Sequence, residues 1–282
     1  MSSTAVTARA PDVPVYDSAR RGSPVIEEAR ALWRYRSLVY ELVIRDIKVR
    51  YKRSVLGILW TMLAPLLNMV ALTLVFSALL RQQIQNYPVY FLTGAILWTF
   101  FSQTTASAAS QTQDSNELAK RIYVPRSVFV AAAVGGGLVN LLLSMIPLLA
   151  ILIATGFPVH PTWAFLPVSI LIVLLFSAGI AFLLFTLASR FTDVREMYGV
   201  LVQTWFFLTP IVYHASIVPP QYRLALWINP MHHLVQTFRK PIYDGVIPSA
   251  GLLAGSFLLA LTVFVTGWVY FCHRAEKFGY RT

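Results

Sequence analysis

Residues 163–188 read WAFLPVSILIVLLFSAGIAFLLFTLA, a run of 26 residues without Asp, Glu, Lys or Arg. The hydrocarbon core of a membrane is about 30 Å thick, and a helix needs roughly 20 apolar residues to cross it. An uncharged run of this length is typical of a transmembrane helix and exceeds what a buried strand requires. The stretch therefore predicts a membrane span.

Five further uncharged stretches predict an all-α polytopic membrane protein with six transmembrane helices. The fifth stretch is short, with 17 residues. The second turns polar after Phe101, so its second half must face protein or water, because lipid offers polar groups no partner. The six predicted spans are 56–80, 88–110, 128–154, 163–188, 197–213 and 249–271.

The composition agrees with a membrane protein. The 282 residues are 57% hydrophobic and 12% charged, with a mean hydropathy of +0.63. Soluble domains carry about twice that charged fraction, so the balance excludes a soluble enzyme, a disordered tail and a disulfide-built scaffold. The one cysteine, Cys272, has no partner for a bridge within the chain. The net charge of +11 is typical of nucleic-acid binding or of a membrane surface.

The positions of the positive charges decide between these two alternatives. Nineteen of the 23 Lys and Arg residues fall in regions that six spans place on one side of the membrane. Such an excess marks the cytoplasmic side, so we expect both termini in the cytoplasm. The basic charge then sets topology and attracts anionic membrane lipids, and no nucleic-acid partner is expected. Residues 1–23 lack an apolar core and predict a flexible cytoplasmic N-terminus without a cleaved signal peptide.

Residues 24–55 are predicted to form an amphipathic helix in the headgroup region of the membrane. Ser23 and Pro24 suit a helix start, and apolar residues such as Trp33 and Tyr40 recur at helical spacing beside a charged stripe. Two roles fit this pattern: a topology anchor, or a cluster that meets a phosphate-bearing substrate at the cytoplasmic leaflet. The cluster consists of Arg45, Lys48, Arg50, Lys52 and Arg53.

Two connecting segments differ from ordinary loops. In the cytoplasmic segment 114–127, Ser115 can cap a short helix that Pro125 ends, which fits either a docking element or a simple turn. The external region 214–245 has helix-capable apolar segments interrupted by prolines, which predicts short re-entrant helices. Broken helices are tolerated at membrane depth only where protein buries them or they line a cavity.

The sequence lacks the groups that catalysis or ion coupling would need. No Gly-x-x-x-x-Gly-Lys-[Ser/Thr] motif occurs, so this chain cannot hydrolyse ATP by the P-loop route. No charged residue lies within a predicted span, which argues against a proton- or sodium-coupled carrier. His232 and His233 diverge on a helix without an obvious third ligand, so we expect no metal site. The residues alone therefore do not predict an enzyme, although a membrane glycosyltransferase or ligase stays open as an alternative.

The spans offer aromatic and neutral polar side chains on defined faces. Such faces suit a glycan path, because sugar rings stack on aromatic rings and hydrogen-bond to amides and hydroxyls. The competing interpretation is packing, with hydrogen bonds across a dry helix interface. The candidate channel-lining residues are Thr61, Asn68, Phe76, Trp98, Gln203, Phe207 and His214.

Several motifs carry a family resemblance. The string RDIKVRYKRSVLGILW at 45–60 resembles the opening of type-2 ABC exporter permeases, and more narrowly the branch that exports O-antigens, capsules and teichoic acids. Weaker matches follow in the same order: VPRS at 124–127, FTDVR at 191–195, LTPIVY at 208–213, and Asn229-Pro230 before Arg239. The resemblance runs from about residue 30 to the C-terminus.

The resemblance implies a homodimer of this chain in the bacterial plasma (inner) membrane, with two separate ABC ATPase subunits that hold ATP and Mg. It implies a coupling helix at about 115–124, with the ATPase contacts Asn116, Glu117, Lys120, Arg121, Tyr123 and Pro125. It also implies an external gate built from re-entrant helices, with Asn229, Gln236 and Arg239 as its site residues. The family often has a Glu where this chain has Gln236, so this chain lacks that acid–base pair.

The expected function is therefore the transmembrane subunit of an ATP-driven exporter of a lipid-linked polysaccharide. Three alternatives remain from the sequence. The first is an exporter of small hydrophobic molecules or drugs within the same superfamily. The second is a membrane glycosyltransferase or ligase. A plain channel is a third and would conduct without any ATPase.

Overall fold

The computed structural model describes residues 23–52, 59–79, 84–112 and 124–278, and within these ranges it contains helices, turns and loops but no strand. Short 3₁₀ turns lie at Pro161–Phe165, Ala215–Ile217 and Pro220–Tyr222, and a π-turn lies at Lys240–Asp244. The α-helices are α1 (Pro24–Arg34), α2 (Arg36–Tyr51), α3 (Leu59–Leu79), α4 (Tyr87–Ser110), α5 (Ser127–Thr155), α6 (Leu166–Ala188), α7 (Val194–Leu208), α8 (Arg223–Ile228), α9 (Pro230–Arg239) and α10 (Ala250–Phe278).

Helices α4, α5, α6 and α10 form the centre of the fold. α6 packs along α10, and α4 lies against both α5 and α6. The close approach of α6 and α10 depends on glycine, because a Cβ atom at Gly267 would collide with the backbone carbonyl of Gly179. Small residues at such a crossing let two helix backbones touch, which is a common way for membrane helices to associate.

Three helical stretches in the described ranges are long and apolar enough to cross a membrane: Ser127–Ala154, Pro161–Ala188 and Ala250–Arg274. They coincide with the predicted third, fourth and sixth spans. Helices α3, α4 and α7 occupy the positions of the other three predicted spans. The polar second half of α4 packs against protein as expected, with Thr104 and Thr105 buried.

The N-terminal region differs from the single helix predicted over 24–55. It forms two helices that meet at Tyr35, whose backbone departs from helical geometry (φ −91°, ψ 18°). The two segments pack mainly on different neighbours, α1 on α10 and α2 on α5, and the break between them accompanies this change of partner. Leu42 is buried in the contact with the core, whereas Trp33 and Tyr40, predicted to share an apolar face, are exposed.

The predicted fifth span also ends earlier than expected. α7 stops at Leu208, and Thr209 is extended (φ −100°, ψ 130°). Thr209 precedes Pro210, and the proline ring disfavours helical geometry in the residue before it, so the helix ends there. Residues 209–213 continue as non-helical chain, which we call the strap. Beyond it, α8 and α9 are the short helices predicted between prolines.

Candidate functional site

The strap is held by side chains from α4 and α9. Its residues 209–212 are buried and Tyr213 is half-buried, yet its backbone makes no helical ladder. Buried carbonyl groups without partners are costly, above all where water is absent. The four carbonyl oxygens of residues 210–213 each accept a hydrogen bond from a side chain of Tyr87, Tyr90 or Arg239.

Arg239 is the central donor. Its side chain is 2% exposed, and its two terminal nitrogens donate to the carbonyl oxygens of Pro210 (2.9 Å) and Ile211 (3.4 Å). Its Nε donates to Thr93 Oγ1 (3.3 Å), and its guanidinium lies 3.8 Å from the ring centroid of Tyr90. Within the described ranges no carboxylate forms an ion pair with it. The charge is thus stabilised by carbonyl dipoles and an aromatic face.

The N-terminal part of α4 forms the other wall of this site. Tyr87 donates to the carbonyl of Val212 (3.0 Å), and Tyr90 donates to that of Tyr213 (2.9 Å). Gly94 leaves room for the guanidinium, because a Cβ atom there would collide with Arg239 Nη2 and press on Ile211. α4 therefore fixes both the strap and the arginine that binds it.

Asn229 joins the end of α7 to the start of α9. Its Oδ1 accepts from Trp205 Nε1 (2.9 Å) and from the backbone N–H of Met231 (3.0 Å), so it caps α9. Its Nδ2 donates to the carbonyl of Leu208 (3.2 Å) and to Thr209 Oγ1 (3.0 Å). Both ends of the amide are fully used, and they fix the angle between the two helices.

The predicted gate residues are brought together only in part. Asn229 and Arg239 contact neighbouring parts of the strap, while Gln236 is half-buried and is not among the partners of Arg239. Arg239 is satisfied by backbone carbonyls and Thr93, so it needs no acid at position 236. Three residues of this site were not predicted from the sequence, and they recur at steps of three on one side of α4: Tyr87, Tyr90 and Thr93. The available signal was Arg239 itself, because a buried arginine needs hydrogen-bond acceptors and so predicts polar partners nearby.

The candidate channel residues fall in two places. Gln203, Phe207 and His214 are exposed on the outer face of α7 and beyond it. Trp98 is 6% exposed and packs edge-on against Trp205 and two phenylalanines. The side chains of Thr61 and Phe76 lie outside the part that the structure describes.

Asn68 and Trp98 also line a cavity of about 400 Å³ between α3, α4 and α5. Asn68 is exposed at its edge. Trp98 thus lies in a space that Gln203 and Phe207 do not line, while Asn68 belongs both to the edge of this space and to the exposed face of α3.

Part of the predicted headgroup cluster lines an open groove on α2. Arg45, Lys48 and Lys52 border this groove of about 650 Å³, together with Glu41. Arg45 is also paired with Asp46 (2.8 Å), so its charge is partly compensated, whereas Lys48 and Lys52 are exposed. The side chain of Arg50 and all of Arg53 lie outside the described residues.

Asp46 links helix α2 to the C-terminal end of α4. Its Oδ2 accepts from Gln111 Nε2 at 2.9 Å, one residue beyond the last residue of α4. The predicted coupling residues Asn116, Glu117, Lys120, Arg121 and Tyr123 lie outside the described residues. Pro125, the last of the set, is buried immediately before α5.

The helical fold and the apolar stretches that are long enough to cross a membrane define a multi-pass membrane protein. Residues 37–243 match the family model described as ABC-2 type transporter. This chain belongs to the ABC-2 type transporter family, whose members are membrane permeases.

Relatives within this family match most of the chain. The O-antigen export system permease protein RfbA of Myxococcus xanthus is 31% identical over 259 residues, covering 90% of this chain and 99% of the relative. RfbA of Klebsiella pneumoniae is 26% identical over 72% of this chain and 79% of its own length. The polysialic acid transport protein KpsM of Escherichia coli is 22% identical over 84% and 93%.

Proposed function

We propose that this chain is the transmembrane subunit of an ATP-driven exporter that moves a lipid-linked polysaccharide across the bacterial plasma membrane. The observation that carries the proposal is the match to a permease of O-antigen export over 90% of this chain. A second match, to a polysialic acid transport protein, points to the same class of cargo. Small hydrophobic molecules are the less favoured cargo, because these matches name polysaccharides.

The proposed topology has six spans, formed by α3, α4, α5, α6, α7 and α10, with both termini in the cytoplasm. α1 and α2 then lie in the cytoplasmic headgroup region, and α8 and α9 form the external re-entrant gate. The strap supports this placement, because irregular backbone at membrane depth is tolerated only when protein groups satisfy it. Arg239, Tyr87 and Tyr90 provide that satisfaction.

The proposed assembly is a homodimer with two ABC ATPase subunits, which bind ATP and Mg. Two exposed helix faces support a second copy. α3 exposes Leu67 and Leu74, and α7 exposes Leu201. The exposed amides of Asn68 and Gln203 interrupt these apolar faces, and lipid would leave them without partners. A water-filled path between two copies, lined by α3 and α7, accounts for both: the second copy covers the apolar side chains, and water hydrates the amides. The segment 115–124 would then contact the ATPase.

The proposed function predicts a specific response to substrate. The chain is reconstituted with its ATPase partner in lipid nanodiscs, and ATP hydrolysis is measured with a lipid-linked polysaccharide, hydrophobic drugs or no addition. We expect the polysaccharide to raise the ATPase rate severalfold and the drugs to leave it near the basal value. Stimulation by drugs alone would instead indicate a drug exporter. Transfer of sugar from a lipid-linked donor by this chain without ATPase would indicate a glycosyltransferase.

The groove on α2 yields a prediction about substrate affinity. Replacing both Lys48 and Lys52 with Gln should raise the substrate concentration for half-maximal ATPase stimulation, by about fivefold for each charge removed next to an anionic surface. These two lysines border the groove and are exposed.

The matched control for the α2 groove is a double variant of Arg30 and Arg34, exposed cations on α1 that do not border it. Their replacement by Gln should change the half-maximal concentration little. An equal shift for both pairs would mean that the positive charge only anchors the protein to lipid.

A further inference from the structure

The cavity between α3, α4 and α5 is separate from the gate and from the α2 groove, and different side chains line it. Its volume of about 400 Å³ lies at the lower end of the range for small-ligand sites, about 300–1,000 Å³. Phe206 of α7 contributes to its wall. Trp60, Asn68 and Gln103 line it and are exposed, so the cavity opens at the surface of the chain.

The lining combines aromatic faces with neutral hydrogen-bonding groups. Trp60, Trp98 and Phe100 supply the rings. None of the described residues that line the cavity is charged. The polar groups are amides and hydroxyls, and the residues that carry them are Asn68, Thr99, Gln103, Asn140 and Ser144.

Asn140 has hydrogen-bonding capacity to spare. The residue is 9% exposed, and its Oδ1 has no hydrogen-bond partner among the residues that the structure describes. Buried side-chain oxygens are usually paired, and this oxygen is itself inaccessible from the cavity. A donor from outside the chain would therefore reach it through a rotation of the Asn140 amide, whose residue belongs to the cavity wall. Ser144 donates its hydroxyl hydrogen to the carbonyl of Asn140 (2.8 Å) and can still accept a hydrogen bond.

The lining discriminates among possible occupants. A lipid chain would leave three amides and two hydroxyls facing hydrocarbon, which is unfavourable. An ion would meet no opposite charge in the wall. A sugar ring satisfies both parts of the lining, since its C–H faces stack on aromatic rings and its hydroxyls pair with amides.

We propose that this cavity binds one neutral glycosyl unit beside the path that α3 and α7 line. The inference rests on the proposed export of a polysaccharide and adds a lateral binding site to it. The site would hold one sugar of the moving chain through Asn140 and Gln103, with Trp60 and Trp98 as stacking faces.

The first experiment tests occupancy with defined probes. The variant carries Ser144→Cys in a Cys272→Ser background, so that one thiol reports on the cavity, and the purified transporter with its ATPase is placed in nanodiscs. Labelling by N-ethylmaleimide is timed with octyl glucoside or an octyl tetra(ethylene glycol) ether, both below micelle-forming concentrations. The two probes share a tail and differ in the headgroup. Octyl glucoside should slow labelling about fivefold more than the ether, the effect of one net hydrogen bond.

Two outcomes would overturn the proposal. Equal protection by both probes would make the cavity a site for an alkyl chain. If neither probe slows the labelling, the cavity binds no sugar.

The second experiment separates this site from the proposed function itself. Asn140→Leu and Gln103→Leu should each raise the polysaccharide concentration for half-maximal ATPase stimulation, by about fivefold if one hydrogen bond is lost and about 25-fold if two are lost. Ser177→Ala is the matched control, because Ser177 is also buried without a partner in the described part but does not line this cavity. Thermal unfolding measured on each variant identifies any that fails to fold, and the Gln103 variant then decides.

The two failures give different results. If wild-type transporter is stimulated by polysaccharide and both leucine variants respond at the wild-type concentration, the lateral site is wrong and the export function stands. If the wild type is not stimulated at all, the proposed export function fails first.

Discussion

Replacing Arg239 with Leu should abolish export and lower the thermal stability of the transporter. The substitution removes the donors to the carbonyls of Pro210 and Ile211 while both groups stay buried. Each unsatisfied buried polar group costs about 1–3 kcal/mol, so a loss of about 2–6 kcal/mol is expected for the two carbonyls. Export in cells and the midpoint of thermal unfolding by fluorescence-detected size-exclusion chromatography measure the two effects.

Three further variants isolate the cause. Arg239→Lys keeps the charge but cannot reach three acceptors at once, so it should rescue only part of the loss. Gly94→Val attacks the same contact from α4 and should resemble Arg239→Leu, because its side chain occupies the place of the guanidinium. Arg223→Leu is the matched control: Arg223 is exposed and donates one 3.4 Å bond to Val218. Wild-type export by Arg239→Leu would show that the strap needs no clamp.

The second large effect is expected at the crossing of α6 and α10. Gly267→Val should prevent accumulation of folded transporter, because a side chain there meets the backbone of Gly179, which cannot rotate away. Inserting bulk into a packed core costs about 1–3 kcal/mol where side chains can adjust, and more is expected against backbone. The yield of monodisperse protein after detergent extraction measures the effect.

Gly255→Val provides the comparison on the same helix. A Cβ atom at Gly255 meets nothing within 4 Å in the structure, so this variant should accumulate normally. Equal yields for the two variants would mean that the α6–α10 contact can open without loss of the fold. Equal losses would mean that replacing any glycine of α10 impairs the helix or its membrane insertion, whatever the residue contacts.

Helix positions were largely predictable because a membrane span imposes a length and excludes charge. The uncharged stretch 163–188 corresponds to the 3₁₀ turn and α6, and the stretch 128–154 to α5, each within about two residues. The early end of α7 was also encoded locally, in Thr209-Pro210, although the apolar pattern runs on to Tyr213. The break at Tyr35 was not, since it arises from two helices with different tertiary partners.

The site was less predictable than the fold. Asn229 and Arg239 stood out as polar residues in a proline-interrupted apolar region. Their partners did not, because Thr93 lies 146 positions from Arg239 in sequence and looks like any hydroxyl within an apolar helix. The same holds for Asn140 and Gln103, whose shared cavity exists only after α4 and α5 pack.

The hydrogen bonds of the strap also bear on electrical insulation. A passage wide enough for a polymer risks leaking cations, and cation-selective sites are built from free backbone carbonyl oxygens that replace the hydration shell. The carbonyls of residues 210–213 already accept from Tyr87, Tyr90 and Arg239. The fixed positive charge of Arg239 beside them repels cations further. In the proposed exporter, the contacts that shape the strap would therefore leave K⁺ and Na⁺ no row of free carbonyl oxygens to replace their hydration shell.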